Sequence, residues 1–202
     1  MMKVSYSQIK RLFTNPKDRY IKYIVKQRDP FFAKSYTVGK WVHKFIETWK
    51  EQEWQNIIME EYAKAYSEGL QPDNIEDIKK EYEKYLVNAK KLPNEYTTWK
   101  KEKYFEIKYE NITVNWYIDC ETNNYVIDYK TAWYFTNPEN DWTGKIEEYK
   151  WQCWIYSYAT QKDAKIVEIW KAVNSKVCPE WYQVFDFTHS KENDKEVEKL
   201  LQ

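Results

Sequence analysis

Asp128 and Lys130 stand two residues apart in the run YVIDYKTA, which has the composition of a β-strand. Alternate side chains of a strand leave the same face, so the two charges can share one site. Asp119 ends the preceding β-rich run, and hairpin pairing through the Asn-rich turn would bring its carboxylate close to Asp128. Two adjacent carboxylates repel unless a cation separates them, and oxygen ligands suit Mg²⁺ or Mn²⁺. With a lysine beside the metal, this is a minimal set of groups for phosphodiester hydrolysis.

An Asp-x-Lys pair on a strand is a weak signal by itself, because exposed strand faces often carry such pairs as solvated charges. Val126 and Ile127 make this strand apolar, however, so its charges fall where burial is costly without a partner or a metal. The apolar context therefore favours a functional interpretation of Asp128 and Lys130.

The first half of the sequence has the pattern of helices. Ser5 and Gln8 match a capping box, and Asn15-Pro16 separates this first helix from a second one. The apolar positions of the second helix are Tyr20, Ile21, Ile24 and Val25. Helical spacing then predicts one long helix from Val38 to about Tyr66, ended by Gly69 and Pro72, and an amphipathic helix over 73–91, before Pro93.

After Trp99 the pattern changes to short β-rich runs separated by turn residues. We predict consecutive antiparallel strands over 103–110, 112–119 and 125–135, a helix over 146–160, strands over 165–173 and 181–187, and a charged C-terminal helix from about Lys191. The sequence contains no internal repeat and no clear domain boundary. It therefore predicts a single domain over 1–202, with a mainly helical part over 1–95 that faces DNA and a sheet-rich catalytic core over 96–202.

Composition restricts the class of protein. The 202 residues include 11 Trp, 19 Tyr and only 3 Gly, which excludes a low-complexity chain. Net charge is zero, yet the first 34 residues carry nine Lys or Arg against two Asp, interleaved with aromatic residues. Such a segment suits phosphates and unpaired bases, although a solvated helix face is an equally good explanation from this segment alone.

No apolar run is long enough for a membrane span, and the N-terminus lacks the cleavage site of a secretory signal. Cys120, Cys153 and Cys178 form no CxxC pair. We therefore expect reduced thiols in a cytoplasmic protein without a membrane partner.

Four ordered motifs together resemble the PD-(D/E)XK nuclease superfamily, in its RecB-like exonuclease branch. They span roughly residues 5 to 160, and four motifs in order are more specific than any one of them. The motifs are the opening helix with Ser5-Tyr6-Ser7, Asn15-Pro16 and Tyr20; the helix Gly39-Lys40-Trp41-Val42-His43; the strand pair Ile118-Asp119 and Val126 to Thr131; and Gln152 with Tyr156.

The resemblance implies roles for particular residues. His43, Asp119, Asp128 and the main-chain carbonyl of Tyr129 would bind Mg²⁺ or Mn²⁺, and Lys130 would be the charged catalytic residue. Gln152 and Tyr156 share a helix face and would lie beside the active site, holding the lysine or a DNA phosphate. Glu47, four residues after His43, and Glu102, ahead of the hairpin, are further acidic candidates, and for both an exposed surface charge is the competing explanation.

The sequence departs from the family at three places. Trp116-Tyr117 replaces a glycine common before the first aspartate, and Asp128 stands where many members have Glu. Related proteins with an iron-sulfur cluster use one early and three late cysteines, whereas here Asn15 takes the early position and Cys178 is the single late cysteine. We therefore expect no cluster.

The sequence thus predicts an α/β protein with a restriction-endonuclease-like core, in which helices flank a central mixed sheet, with a helical N-terminal region. The expected function is metal-dependent hydrolysis of DNA, on single strands or ends, as in the processing of viral or mobile-element DNA. A homo-oligomer is compatible with the sequence. Two alternatives are a catalytically silent DNA-binding module of the same fold and an interaction protein, whose sign would be exposed aromatic clusters.

Overall fold

The computed structural model describes residues 2–5, 8, 17, 34–51, 54–67, 69, 74–97, 102–110, 112–133, 136–141, 143–171 and 182–202. The strands are β1 (Met2–Ser5), β2 (Lys103–Tyr109), β3 (Ile112–Ile118), β4 (Cys120–Glu121), β5 (Tyr125–Ala132), β6 (Asp163–Trp170) and β7 (Tyr182–Phe187). The α-helices are α1 (Lys34–Thr48), α2 (Trp54–Ser67), α3 (Ile75–Ala89), α4 (Lys145–Thr160) and α5 (Lys191–Leu201). A single 3₁₀ turn spans Asn94–Tyr96.

The predicted long helix from Val38 to Tyr66 is wrong, because α1 ends at Thr48 and α2 begins at Trp54. Trp49 takes a left-handed conformation (φ 57°), and its N–H still donates to the carbonyl of Phe45. This conformation costs a non-glycine residue about 1–2 kcal/mol. Stacking of the Trp49 ring on Phe45, with centroids 4.8 Å apart, offsets part of that cost. The apolar periodicity continues across the break, so the sequence pattern does not predict the end of α1.

Other helix ends follow the predicted signals. Gly69 follows α2 with φ 71°, where a side chain would be strained. Asn74 caps α3 by accepting the N–H of Glu76 at 2.8 Å. The Ser5 and Gln8 capping box forms, with reciprocal bonds of 2.9 and 3.3 Å. The body of that first helix, the second helix with Tyr20, Ile21, Ile24 and Val25, and Pro72 lie outside the described residues.

The strands form two sheets. A three-stranded sheet has the order β1-β3-β2, with β1 parallel and β2 antiparallel to β3. A four-stranded sheet has the order β4-β5-β6-β7, in which β5 and β6 are parallel and the two outer pairs are antiparallel. No pattern in the sequence predicts β1, because four residues are too few to show a period and their partner strand lies more than a hundred residues away.

The strand run that contains Asp119 divides between the sheets. We expected the runs 103–110, 112–119 and 125–135 to form consecutive antiparallel strands, and this holds for β2 with β3. The chain then bends at Asp119, and only the two residues of β4 pair with β5. Cys120 is opposite Ile127, so the hairpin register places Asp119 beside Asp128.

Helices pack on both faces of the four-stranded sheet. One core cluster joins α1, α2 and α3 to the side of β5 that carries Ile127 and Tyr129. The other joins α4, α5 and the three-stranded sheet to the side that carries Val126. The predicted mixed sheet flanked by helices is therefore confirmed. Within the described parts of the chain, no helix combines the length and apolar character needed to cross a membrane.

An ion pair between Glu81 on α3 and Lys171, just after β6, joins the helices to the sheet. The two side chains are 11% and 6% exposed, and the Lys171 Nζ also lies 3.7 Å from the centroid of the Trp133 ring. Burial favours a higher pKa for Glu81, but Lys171 and Lys84 outweigh it and hold the pKa below its ordinary value. The pair therefore contributes stability only while Glu81 is ionised.

Replacing Glu81 by glutamine should lower the free energy of unfolding at neutral pH by about 2–3 kcal/mol, somewhat less than the loss of a fully buried pair. The lowered folded-state pKa makes this contribution complete above the ordinary pKa of 4.5 and removes it as pH falls through the folded-state value. Urea unfolding of both proteins from neutral to acidic pH measures the difference. If the difference persists undiminished at about pH 3, lost packing rather than charge is responsible.

Candidate active site

Asp128 and Lys130 form an ion pair on β5. Their side chains leave the same face of the strand, and Lys130 Nζ lies 2.5 Å from Asp128 Oδ2. The Asp128 side chain is 6% exposed and that of Lys130 is 31% exposed. The apolar neighbours Val126 and Ile127 bury the strand, as the sequence predicts, so the aspartate lies inside the protein and the lysine extends from it toward solvent.

Gln152 and Tyr156 on α4 bind the other oxygen of Asp128. Gln152 Nε2 donates to Asp128 Oδ1 at 2.8 Å, and the Tyr156 hydroxyl donates to the same atom at 2.9 Å. Gln152 Nε2 also lies 2.6 Å from the Tyr156 hydroxyl, and the Tyr156 ring stacks on Trp116. Both side chains are buried, and in this structure they hold the aspartate and not the lysine, which corrects the expected contact with Lys130. A DNA phosphate as their partner stays a prediction.

Asp119 stands at the bend between β3 and β4 and connects β5 to α1. Its Oδ2 accepts the Tyr129 N–H at 2.8 Å, and its Oδ1 lies 3.4 Å from His43 Nδ1. Helix α1 approaches β5 closely at Gly39, where a Cβ would lie 3.4 Å from Thr131 Oγ1.

The electrostatic environment couples His43 to Asp119. Burial favours a lower pKa for His43, but the charge of Asp119 and its hydrogen bond outweigh this, and the pKa is raised. Burial likewise favours a higher pKa for Asp119, but His43, then Lys130 and the Tyr129 N–H, hold it below its ordinary value. Asp119 is therefore a carboxylate that attracts positive charge.

The pKa values of Asp128 and Lys130 are both raised, but for different reasons. Burial raises the pKa of Asp128, and the nearby charge of Asp119 adds to this, although Lys130 opposes it. Burial favours a lower pKa for Lys130, but Asp128 and Asp119 outweigh it and raise the pKa. Lys130 is therefore held as an ammonium ion, which suits a group that stabilises negative charge and not a general base.

His43, Asp119 and Lys130 face one groove of about 950 Å³ beside α1, α2 and the end of β5. Two further candidates, Glu47 and Glu102, line the same groove. Among the described residues that line it, the acidic ones are Glu47, Glu60, Glu61, Glu102 and Asp119, and the lysines are Lys40, Lys44 and Lys130. The carboxylates outnumber the lysines, so a polyanion would need additional positive charge to enter this groove.

The side chains present fit a hard divalent cation in their chemistry: an imidazole nitrogen and two electrostatically coupled carboxylates, those of His43, Asp119 and Asp128. Within the described residues, no group of three or more His, Cys, Asp and Glu is already arranged around a common point. The reason is visible in the ion pairs, since Asp128 is turned toward Lys130 while Asp119 is turned toward His43. The main-chain carbonyl of Tyr129 as a ligand stays a prediction.

One buried acid beside this site is absent from the residues that the sequence motifs predict. Glu168 on β6 is fully buried and pairs in register with Lys130. The run KIVEIW places a charged residue inside an apolar strand, which is the same signal that singled out Asp128 in YVIDYK. Unlike Asp128, however, Glu168 has no acidic or basic residue two positions away on the same strand.

Comparisons with known proteins give a fold and no family. No family model matches the chain, and no curated protein matches it significantly. Among solved structures it is similar to a candidate exonuclease from Eubacterium rectale, with a TM-score of 0.66 and 10% sequence identity. The similarity covers 97% of this chain and 76% of that protein. At this identity the likeness shows a shared mixed α/β fold.

Proposed function

We propose that this protein is a divalent-metal-dependent nuclease that hydrolyses phosphodiester bonds in DNA. The observation that carries the proposal is the Asp128–Lys130 ion pair, in which the aspartate is buried and the lysine is partly exposed. The lysine lines the same groove as Asp119 and His43. The Eubacterium rectale protein, a candidate exonuclease of similar fold, supports it. The excess of carboxylates in the groove also supports a cation, which would offset the repulsion of a DNA phosphate.

In this proposal each side chain has a defined task. His43, Asp119, Asp128 and the Tyr129 carbonyl would hold Mg²⁺ or Mn²⁺, which would supply Lewis acidity for phosphate chemistry. Lys130, held charged by the two aspartates, stabilises the negative charge that develops on the phosphate. Gln152 and Tyr156 orient Asp128 by binding its Oδ1, which leaves Oδ2 to pair with Lys130.

Single strands or DNA ends are the proposed substrates. Tyr104 and Tyr117 form a cross-strand pair on β2 and β3 with ring centroids 5.2 Å apart, and they are 43% and 55% exposed. Tyr117 precedes Asp119 by two residues, so the pair lies along the strand that leads into the site. Exposed aromatic rings stack on unpaired bases, which a closed duplex does not offer. The basic aromatic segment over residues 1–34 lies largely outside the described residues.

A silent binding module of the same fold is the second candidate. The same exposed tyrosine pair would serve it, and it would equally serve an interaction protein. Against both stands the position of Lys130, a charged group between two carboxylates at the groove, which phosphate chemistry uses and a stacking surface of tyrosines does not require. A cytoplasmic setting and a homo-oligomeric state also remain proposals.

Incubation with end-labelled single-stranded, duplex and closed circular DNA tests the function. We expect cleavage with Mg²⁺ or Mn²⁺ and none with EDTA, with single strands or ends cut fastest. The circular substrate separates endonuclease from exonuclease action. Binding without cleavage in every metal would support the silent module, and cleavage that survives EDTA would refute the metal-dependent reaction.

A further inference from the structure

Glu168 accepts hydrogen bonds from several elements while having no solvent contact. Its side chain is fully buried, and its Oε2 accepts the hydroxyl protons of Tyr149 at 2.6 Å and Thr136 at 2.8 Å. Lys145 Nζ lies 3.4 Å from the same oxygen. The other oxygen, Oε1, accepts the indole N–H of Trp170 at 2.8 Å. One buried side chain therefore accepts from four donors and links the groups that carry them.

The donors converge from the segments that flank the candidate site. Thr136 follows β5 just beyond Lys130, and Lys145 begins α4. Tyr149 lies one helical turn before Gln152, so both face the same side of α4. Strand pairing places Glu168 in register with Lys130 on the adjacent parallel strand. The carboxylate therefore joins the end of β5, the start of α4 and β6 at the level of the lysine.

This arrangement has a consequence for Asp128. Gln152 and Tyr156 reach Asp128 only if α4 keeps its distance from the sheet and its rotation about the helix axis. Asp128 is in register with Ile166, two residues before Glu168, so one face of β5 and β6 carries both acids. Helix α4 is thus fixed at one turn by Glu168 and at the next turns by Asp128.

We propose that Glu168 is a positioning residue of the active centre: it clamps the start of α4 and the segment after β5, and so sets Gln152 and Tyr156 on Asp128 and orients the Asp128–Lys130 pair. The effect on catalysis rests on the proposed nuclease function. The clamp itself is a statement about α4 and can be measured without cleavage.

The variant Glu168→Gln tests the clamp. Its amide keeps one acceptor oxygen, but its NH₂ group replaces the second oxygen and cannot accept the hydrogen bonds made there. We expect kcat for DNA cleavage to fall about tenfold to a hundredfold through misplacement of reacting groups, with KM changed less than about twofold. Hydrogen exchange followed by mass spectrometry should show faster exchange over 145–156 than in the wild type. The milder Tyr149→Phe removes one donor and should show the same pattern to a smaller degree, which keeps the test available if Glu168→Gln folds poorly.

The matched control is Glu81→Gln, the same substitution at a buried acid bound to Lys171 away from the groove. It should lower thermal stability while leaving kcat and exchange over 145–156 near the wild-type values. Equal loss of kcat in Glu81→Gln and Glu168→Gln would overturn the proposal, and so would wild-type kcat in Glu168→Gln. If the wild type cuts no DNA, the proposed function fails, and exchange then decides alone: faster exchange over 145–156 supports the clamp, and unchanged exchange refutes it.

Discussion

Replacing Lys130 by methionine should reduce DNA cleavage by about a hundredfold to a thousandfold with little change in substrate binding, since removing one charged stabiliser of a transition state costs about that much. Methionine keeps most of the length and apolar surface of the side chain but removes the ammonium ion. Asp128 Oδ1 keeps its bonds from Gln152 and Tyr156, so the protein should still fold. The measurement is kcat and KM on an end-labelled oligonucleotide with Mn²⁺, alongside circular dichroism.

Loss of the Lys130 charge should also lower the free energy of unfolding by about 1–3 kcal/mol, because Asp128 Oδ2 is left buried beside an apolar group. Lys44→Met is the matched control: Lys44 lines the same groove with 35% of its side chain exposed and pairs with Glu47. It should stay within a few-fold of the wild-type rate. If both variants lost activity equally, general positive charge in the groove would explain the effect, and Lys130 would have no special role.

Replacing Asp119 by asparagine should remove metal-dependent cleavage almost completely, because it weakens the binding of the metal ion. Asparagine keeps the shape and can still accept the Tyr129 N–H through its carbonyl oxygen. It loses the negative charge that raises the pKa of His43 and faces the groove. We expect a drop of about 10²-fold or more in Mn²⁺ affinity, since a hard cation prefers anionic oxygen ligands. Titration calorimetry with Mn²⁺ measures this without relying on cleavage.

Glu60→Gln supplies the control for metal binding, because Glu60 is an exposed acid that lines the same groove. Its loss removes one negative charge from the groove and should change Mn²⁺ affinity by no more than a few-fold. Comparable losses of Mn²⁺ affinity in Asp119→Asn and Glu60→Gln would mean that the groove attracts cations by its total charge and has no specific metal site. Wild-type affinity in Asp119→Asn would exclude this residue as a ligand.

Local patterns predicted those elements whose periodicity and bounding turn residues lie within one short stretch of sequence. Helices α3, α4 and α5 and strands β2, β5, β6 and β7 lie where apolar periodicity and turn residues put them, within a few residues. The break between α1 and α2 escaped prediction because no glycine or proline marks it and the apolar periodicity continues across it. Strand β1 escaped because its partner β3 is distant in sequence. The failure to predict β1 reflects a contact that no short window of sequence contains.

By itself, the sequence determined that Asp128 and Lys130 share a face, that a hairpin brings Asp119 to them, and that His43 and the pair Gln152 and Tyr156 each occupy one side of a helix. These follow from the fixed periods of strand and helix, which act within a few residues. Only the tertiary structure decided what those side chains touch: His43 meets Asp119, Gln152 and Tyr156 hold Asp128, and Glu168 clamps α4. Such partners depend on the crossing of α1 and α4 over the sheet, which the packing of the whole core sets.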